Sequence, residues 1–492
     1  MSANNTEKLR LATKIGYGAG DIFGSGAMTI IGFYYLYFLT DVVRISPALA
    51  GMAFLISKIW DAVSDPLMGM ISDRTRTRFG RRRPYFLAGI FLIAVSFFVM
   101  WFPVSFPLEI HRFIYVLAAY LFFSTVITMV MIPYNALASE LTVDYNERTS
   151  LATYRMIFSG IAGIIGAVVP LEIVKSFDDT RTGYMVMAIV FGLMCALPFI
   201  ATFLSTFERS EFQREIARQN FSETLRHTFI EPFRVRSFRN VLMMYVFSFL
   251  AIDSLMATLI YFMTYYVGKP DMMTPLLGVC FVTQIIFIPV FDLLSKKTSK
   301  RNSFITSALI WLATFGYSFI MGPESPATVL FIYVFVVGIG LGGIQVMVFA
   351  MFPDIPDIDE LKTGERREGV YSGLFTFVRK VSSALAIFII SNSIQIAGYS
   401  PPLEQTVDGV KKIVQQAQTA EFLLLLRLIF AFIPAIFLVI AIYNCVRYPL
   451  SPEIHTRLRE LLSRRKSGGA IASDREAELE LKKMLIGKKI DG

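Results

Sequence analysis

The chain of 492 residues is 54% hydrophobic and only 17% charged, which excludes a soluble protein of this size, where about a quarter of the residues would be charged. Its net charge of +9 would suit nucleic acid, but the basic residues sit in short loops between apolar runs and in the tail, where topology signals belong. What remains is a polytopic membrane protein with no nucleic-acid partner.

Apolar runs of about 20 residues, the length that crosses a bilayer, are predicted near 15–40, 47–72, 84–104, 112–138, 152–174 and 183–206. A second set follows near 240–267, 274–295, 303–321, 327–352, 368–397 and 420–446. The expected fold is an all-α membrane protein of twelve spans in two six-helix bundles. Residues 1–206 form the first bundle, 207–239 a polar cytoplasmic linker, 240–446 the second bundle and 447–492 a cytoplasmic tail patterned as a short amphipathic helix. The first run carries Asp21 and lacks a small-residue cleavage site, so it is expected to stay as a span.

The second run holds the chain's most informative stretch. Asp61 and Asp65 stand four residues apart, on one helical face, inside a segment otherwise apolar enough to enter a membrane. Charge at that depth costs several kcal/mol at least, so such acids line a polar cavity, bind a cation or carry a proton. The run ends in Arg74, Arg76, Arg78, Arg81, Arg82 and Arg83, and the loop after the eighth run holds Lys296, Lys297, Lys300 and Arg301. These loops are expected on the cytoplasmic side. The opposite loops, around Asp41, Glu109, Asp178 and Asp271, are poorer in positive charge, and an even number of spans leaves both termini inside.

The equivalent placing of the two basic loops is the weak internal symmetry of two-domain transporters. Glycines at 16, 18, 20, 24 and 26, and at 338, 340, 342 and 343, suit close helix approach or bending. No enzyme signature is present: there is no Walker A loop, His111, His227 and His455 lack metal or triad spacing, and Cys195, Cys280 and Cys445 lie far apart with no CxxC. No cofactor is expected.

Several motifs occur together in order: Tyr17 through Asp21, Thr40-Asp41, Trp60-Asp61 through Asp65-Pro66, the arginine loop to Pro84, Ile132-Pro133-Tyr134, and Pro353 through Gly369. From about Ile15 to Arg447 the chain resembles the glycoside-pentoside-hexuronide:cation symporters, the melibiose-permease-like branch of the major facilitator superfamily. The resemblance implies alternating access driven by a cation gradient. It implies that Asp21 and Arg155 hold the sugar, with Lys380 near the same cavity, and that Asp61, Asp65 and Thr128 bind the cation. Tyr120 is one of several tyrosines that could offer a stacking surface. Asn135 and Gln345 stand near the positions of the family's stacking tryptophans, and Met131 replaces a third aspartate of its sodium-using members.

Losing that carboxylate weakens a Na+ cage, which depends on ligand count, whereas a proton needs only one of two mutually repelling acids. The coupling ion is therefore expected to be H+ rather than Na+. Asp73, Arg74, Arg78 and Arg82 resemble the superfamily's latch between the second and third spans. Asp354 and Asp357 with Arg366 and Arg367 are its expected counterpart in the second half. The expected activity is inward symport of a glycoside, pentoside or hexuronide by a monomer in the cell inner membrane. A lysolipid or other amphipathic cargo is the alternative, and a non-transporting receptor or scaffold the third reading.

Overall fold

The structure, a computed structural model, describes residues 8–142, 144–208, 232–318, 321–364, 368–407, 410–466 and 472–486. They form two compact units. The first draws on the described residues within 8–208, 256–278 and 387–426; the second draws on those within 232–255, 279–386 and 427–486.

The spans run in chain order as helices. The first is a composite over residues 11–42. The next five are Pro47–Arg74, Arg83–Met100, Glu109–Leu141, Tyr145–Lys175 and Thr180–Ser205. The second set is Arg236–Tyr266, Met273–Lys297, Lys300–Ser318, Ala327–Met351, Glu368–Ile396 and Ala420–Val446. Among the described residues nine helices are long and apolar enough to cross a membrane on composition alone. The first, second and ninth spans fall short for visible reasons. The first is broken into segments, the second carries Lys58, Asp61, Asp65 and Asp73, and the ninth opens on Lys300 and Arg301.

The first span is wound unevenly. After an α-helical Leu11–Ala19 it passes through π-helical segments at Ile22–Ala27, Ile31–Tyr35 and Phe38–Val42. Such wide turns cluster at functional sites. Its glycines allow close approach: the Thr202 hydroxyl donates to the Gly16 carbonyl at 2.7 Å, and a Cβ on Gly16 would fall 2.9 Å from the Ala201 carbonyl oxygen. The glycines of the tenth span serve the same end. A Cβ on Gly338 would meet the Cys280 carbonyl at 2.6 Å, and one on Gly340 the Trp311 Cβ at 2.5 Å. The eighth and ninth spans therefore pack backbone-close against the tenth.

Two features differ from expectation. The tail folds as two helices, Pro452–Lys466 and Ala472–Leu485, rather than one, because Leu458, Leu481 and Leu485 are all buried. Between the eleventh and twelfth spans, Leu403–Val407 and Val410–Val414 pair as an antiparallel hairpin. Most of the expected linker, residues 209–231, lies outside the described residues.

Candidate functional site

The second and fourth spans meet along a matched ladder. On the second, Asp61 and Asp65 are one turn apart; on the fourth, Tyr120, Ser124 and Thr128 repeat every fourth residue, so each set lines one face. Ser124 donates its hydroxyl to Asp61 Oδ1, and Thr128 donates to Asp65 Oδ1 at 2.7 Å. Lys58, one turn before Asp61, places its ammonium 2.8 Å from Asp61 Oδ2. Asp61 is buried and Asp65 half-buried. The expected trio of Asp61, Asp65 and Thr128 is thus brought together on two facing helices, and Lys58 and Ser124 join it. Lys58 was within reach of sequence reasoning, since a basic residue three before an acid on a helix is a neighbour. Ser124, 63 residues from Asp61, carries no such local signal.

Tyr120 lies at the top of this ladder, fully buried, with its ring 5.2 Å from Phe54, 5.3 Å from Tyr35 and 5.9 Å from the Lys58 ammonium. It is packed among rings beside the acid ladder.

Asp21 begins the first π segment and is buried. Arg155, on the fifth span, donates Nε to Asp21 Oδ1 at 3.0 Å. The guanidinium carbon lies 5.4 Å from the Tyr134 ring centre, and Tyr134 stacks on Tyr17 at 4.7 Å and donates to the Tyr17 carbonyl at 2.7 Å. Gly24 leaves room here, since a Cβ would come 2.6 Å from the Met131 methyl carbon and 3.2 Å from Asp21 Oδ1. Met131 therefore brings an apolar thioether close to the Asp21 carboxylate.

The remaining expected contacts lie on three spans. Asn135 is exposed on the fourth span, and Gln345 is exposed on the tenth, where it accepts from Gln284. Lys380 is half-buried on the eleventh. Its neighbour Arg379 makes a bidentate pair with Asp253 of the seventh span, at 2.6 and 2.9 Å.

The arginine loop is knotted more tightly than its sequence suggests. Arg82 donates Nε to Glu140 at 2.5 Å and Nη2 to Asp73 at 3.0 Å; Arg81 reaches the same Glu140 oxygen at 2.6 Å. Glu208 accepts the backbone N–H groups of Arg81, Arg82 and Arg83 at 2.8 to 3.0 Å. It thereby places an anion where a helix start favours one. Asp73 and Arg82 thus meet as expected, while Arg74 and Arg78 are exposed, Arg78 lying over Phe79. In the second unit Asp354 binds the Lys300 ammonium at 2.8 Å, and Asp357 lies 3.5 Å from His455 and 3.6 Å from Arg459 of the tail. Arg366 and Arg367 lie outside the described residues.

Asp41, expected in a loop, is instead buried at the end of the first span. It accepts from Tyr265, from Thr40 at 2.7 Å and from Tyr399 at 2.7 Å. A cavity of about 200 Å³ adjoins it, with Tyr37, Lys175 and Gln415 in its wall. Among the described residues no group of three His, Cys, Asp or Glu side chains is placed to hold a metal ion.

Twelve spans with acids buried at mid-span define a secondary transporter of the major facilitator type. The profile of the MFS/sugar transport protein family matches residues 16–452. The chain belongs to that family, and so to the cation-symporter branch its motifs resemble. An uncharacterized symporter, sll1374, of Synechocystis is 27% identical over 95% of this chain and 99% of its own length. Sodium-dependent lysophosphatidylcholine symporter 1 of Gallus gallus is 24% identical over 87% of each chain. Among solved structures, a D-xylose-proton symporter superposes with a TM-score of 0.55 at 15% identity, covering 78% of this chain and 89% of its own.

Proposed function

We propose that this chain imports a glycoside, pentoside or hexuronide together with H+, by alternating access of two six-helix halves. The observation that carries the choice of ion is the Lys58 ammonium, 2.8 Å from Asp61. A Na+ bound by both carboxylates would share Asp61 with a like charge at close range, whereas a proton on Asp65 asks for no second ligand. The Thr128 hydroxyl, which donates to the ionised Asp65, can turn to accept from the protonated one. Neutralising the ladder removes the cost of moving charge past apolar surroundings, and so permits the change of access.

Asp21 accepts from sugar hydroxyls while Arg155 donates to them, with the Tyr134–Tyr17 stack as an apolar platform. The Arg81–Arg82–Glu140–Asp73 knot acts as the latch, with Asp354 and Asp357 as its counterpart. The protein works as a monomer in the cell inner membrane, with 207–239 as linker and both termini cytoplasmic. Met131 beside Asp21 favours, as a second reading, an amphipathic cargo of the kind named for the Gallus gallus relative.

The test is counterflow and uptake in proteoliposomes, with glycosides, pentosides, glucuronides and a lysophospholipid under imposed pH and Na+ gradients. Sugar uptake driven by pH and lost in Asp61→Asn is the expected result. Uptake of the lysophospholipid alone would sink the sugar reading, and drive by Na+ alone would sink the choice of ion.

A further inference from the structure

Both units contain a buried carboxylate paired with a guanidinium, on matching spans. In the first unit Asp21 stands on the first span of its set and Arg155 on the fifth; in the second, Asp253 stands on the first span of its set and Arg379 on the fifth. The likeness extends to detail. Asp21 and Asp253 are each 7% exposed, and the arginine side chains are 35% and 31% exposed. Each guanidinium covers a ring, Arg155 that of Tyr134 and Arg379 that of Phe249 at 4.2 Å. Phe249 in turn belongs to a ring cluster with Tyr245 at 4.8 Å and Phe349 at 6.2 Å.

A brace between the seventh and eleventh spans does not need charge, because well-packed apolar residues serve as well or better than a buried ion pair. Nor does a brace need an arginine side chain left about a third exposed beside an aromatic wall. Donors, a carboxylate and rings are what a sugar site requires.

We infer that Asp253 and Arg379 are a substrate-contact pair of the second unit, and that this pair selects an uncharged glycoside over a uronide. The inference rests on the proposed function and narrows its cargo. A carboxylate beside a guanidinium sums to zero charge and offers an acceptor next to a donor. Vicinal hydroxyls, which both donate and accept, complement that pattern. A uronate carboxylate on Arg379 has to displace Asp253 from a bidentate contact or lie against it.

The experiment is counterflow in proteoliposomes with a methyl glucoside and the matching methyl glucuronide, in the wild type, Asp253→Asn, Arg379→Gln and the double variant. The wild type should prefer the glucoside. Asp253→Asn, which leaves the guanidinium without its carboxylate, should shift the preference toward the glucuronide by about tenfold, the scale of one charge-assisted hydrogen bond. Arg379→Gln should raise the KM for the glucoside by about as much. The double variant restores neutrality, so it answers even where a single variant fails to fold. It should keep the wild-type preference with a raised KM.

An unchanged KM in the double variant would make the pair a brace and overturn the inference. So would a wild type that prefers the glucuronide, and both outcomes leave the symport reading standing. A wild type that moves neither sugar overturns the function itself, and this inference with it.

Discussion

The two units carry similar carboxylate–guanidinium pairs but differ in the acids of the neighbouring span. In the first unit the second span holds Lys58, Asp61 and Asp65 near the middle of its length, against hydroxyls of the fourth. The corresponding span of the second set, Met273–Lys297, carries no acid before Asp292, and a polar contact toward the tenth span is an amide pair, Gln284 with Gln345. Stacked mid-span acids thus belong to the second span and not to the eighth. The loop clusters differ as well: Glu140 is 4% exposed and its arginine partners are buried, whereas Asp357 is paired with an Arg459 that is 68% exposed. The lesson is that a duplicated architecture keeps its helices alike while placing a ladder of stacked acids on only one of two matching spans.

That comparison can be broken. The largest effect is expected from Asp61→Asn, which should abolish concentrative uptake while leaving the protein folded; retained accumulation would mean that coupling does not reside in the first unit. Next comes Glu140→Gln. Removing one partner from a buried ion cluster costs about 3–5 kcal/mol, so the melting temperature in detergent should fall steeply. Arg459→Gln, at an exposed side chain, should cost below ~1 kcal/mol, and equal losses in the two variants would erase the contrast between the loops.

Gly340→Val forces a Cβ to within 2.5 Å of Trp311. It should destabilise by about 1–3 kcal/mol, as overpacking does, and a neutral result would show that the tenth span can back away. The smallest effect is the most specific. Lys58→Met should lower transport only in part, yet make it respond to Na+, because the competing ammonium is gone. No Na+ response would deny the ammonium its role in ion choice.

Much of this was legible beforehand because it is local. Spacing placed Asp61 and Asp65 on one face, run lengths gave twelve spans, and the glycine clusters marked close helix contacts. What escaped depends on residues far apart in the chain. Glu140 reaches Arg81 across 59 residues, Glu208 reaches the same residue across 127, and Asp253 reaches Arg379 across 126. No helical period links such partners. Arg379 rather than Lys380 faces the carboxylate because adjacent residues on a helix point about 100° apart, a distinction that a Lys-Arg doublet does not announce. The burial of Asp41 was hidden for the same reason, since Tyr265 and Tyr399 lie 224 and 358 residues away.

The winding of the first span has one more consequence. Between Asp21 and Asp41 the chain passes through three π-helical segments, each holding an extra residue relative to regular α geometry. Relaxing one segment would swing everything beyond it by about 100° around the helix axis, one residue's worth of turn. The bearings of Asp21 and Asp41 around that axis are therefore set by the winding between them and not by the α period alone.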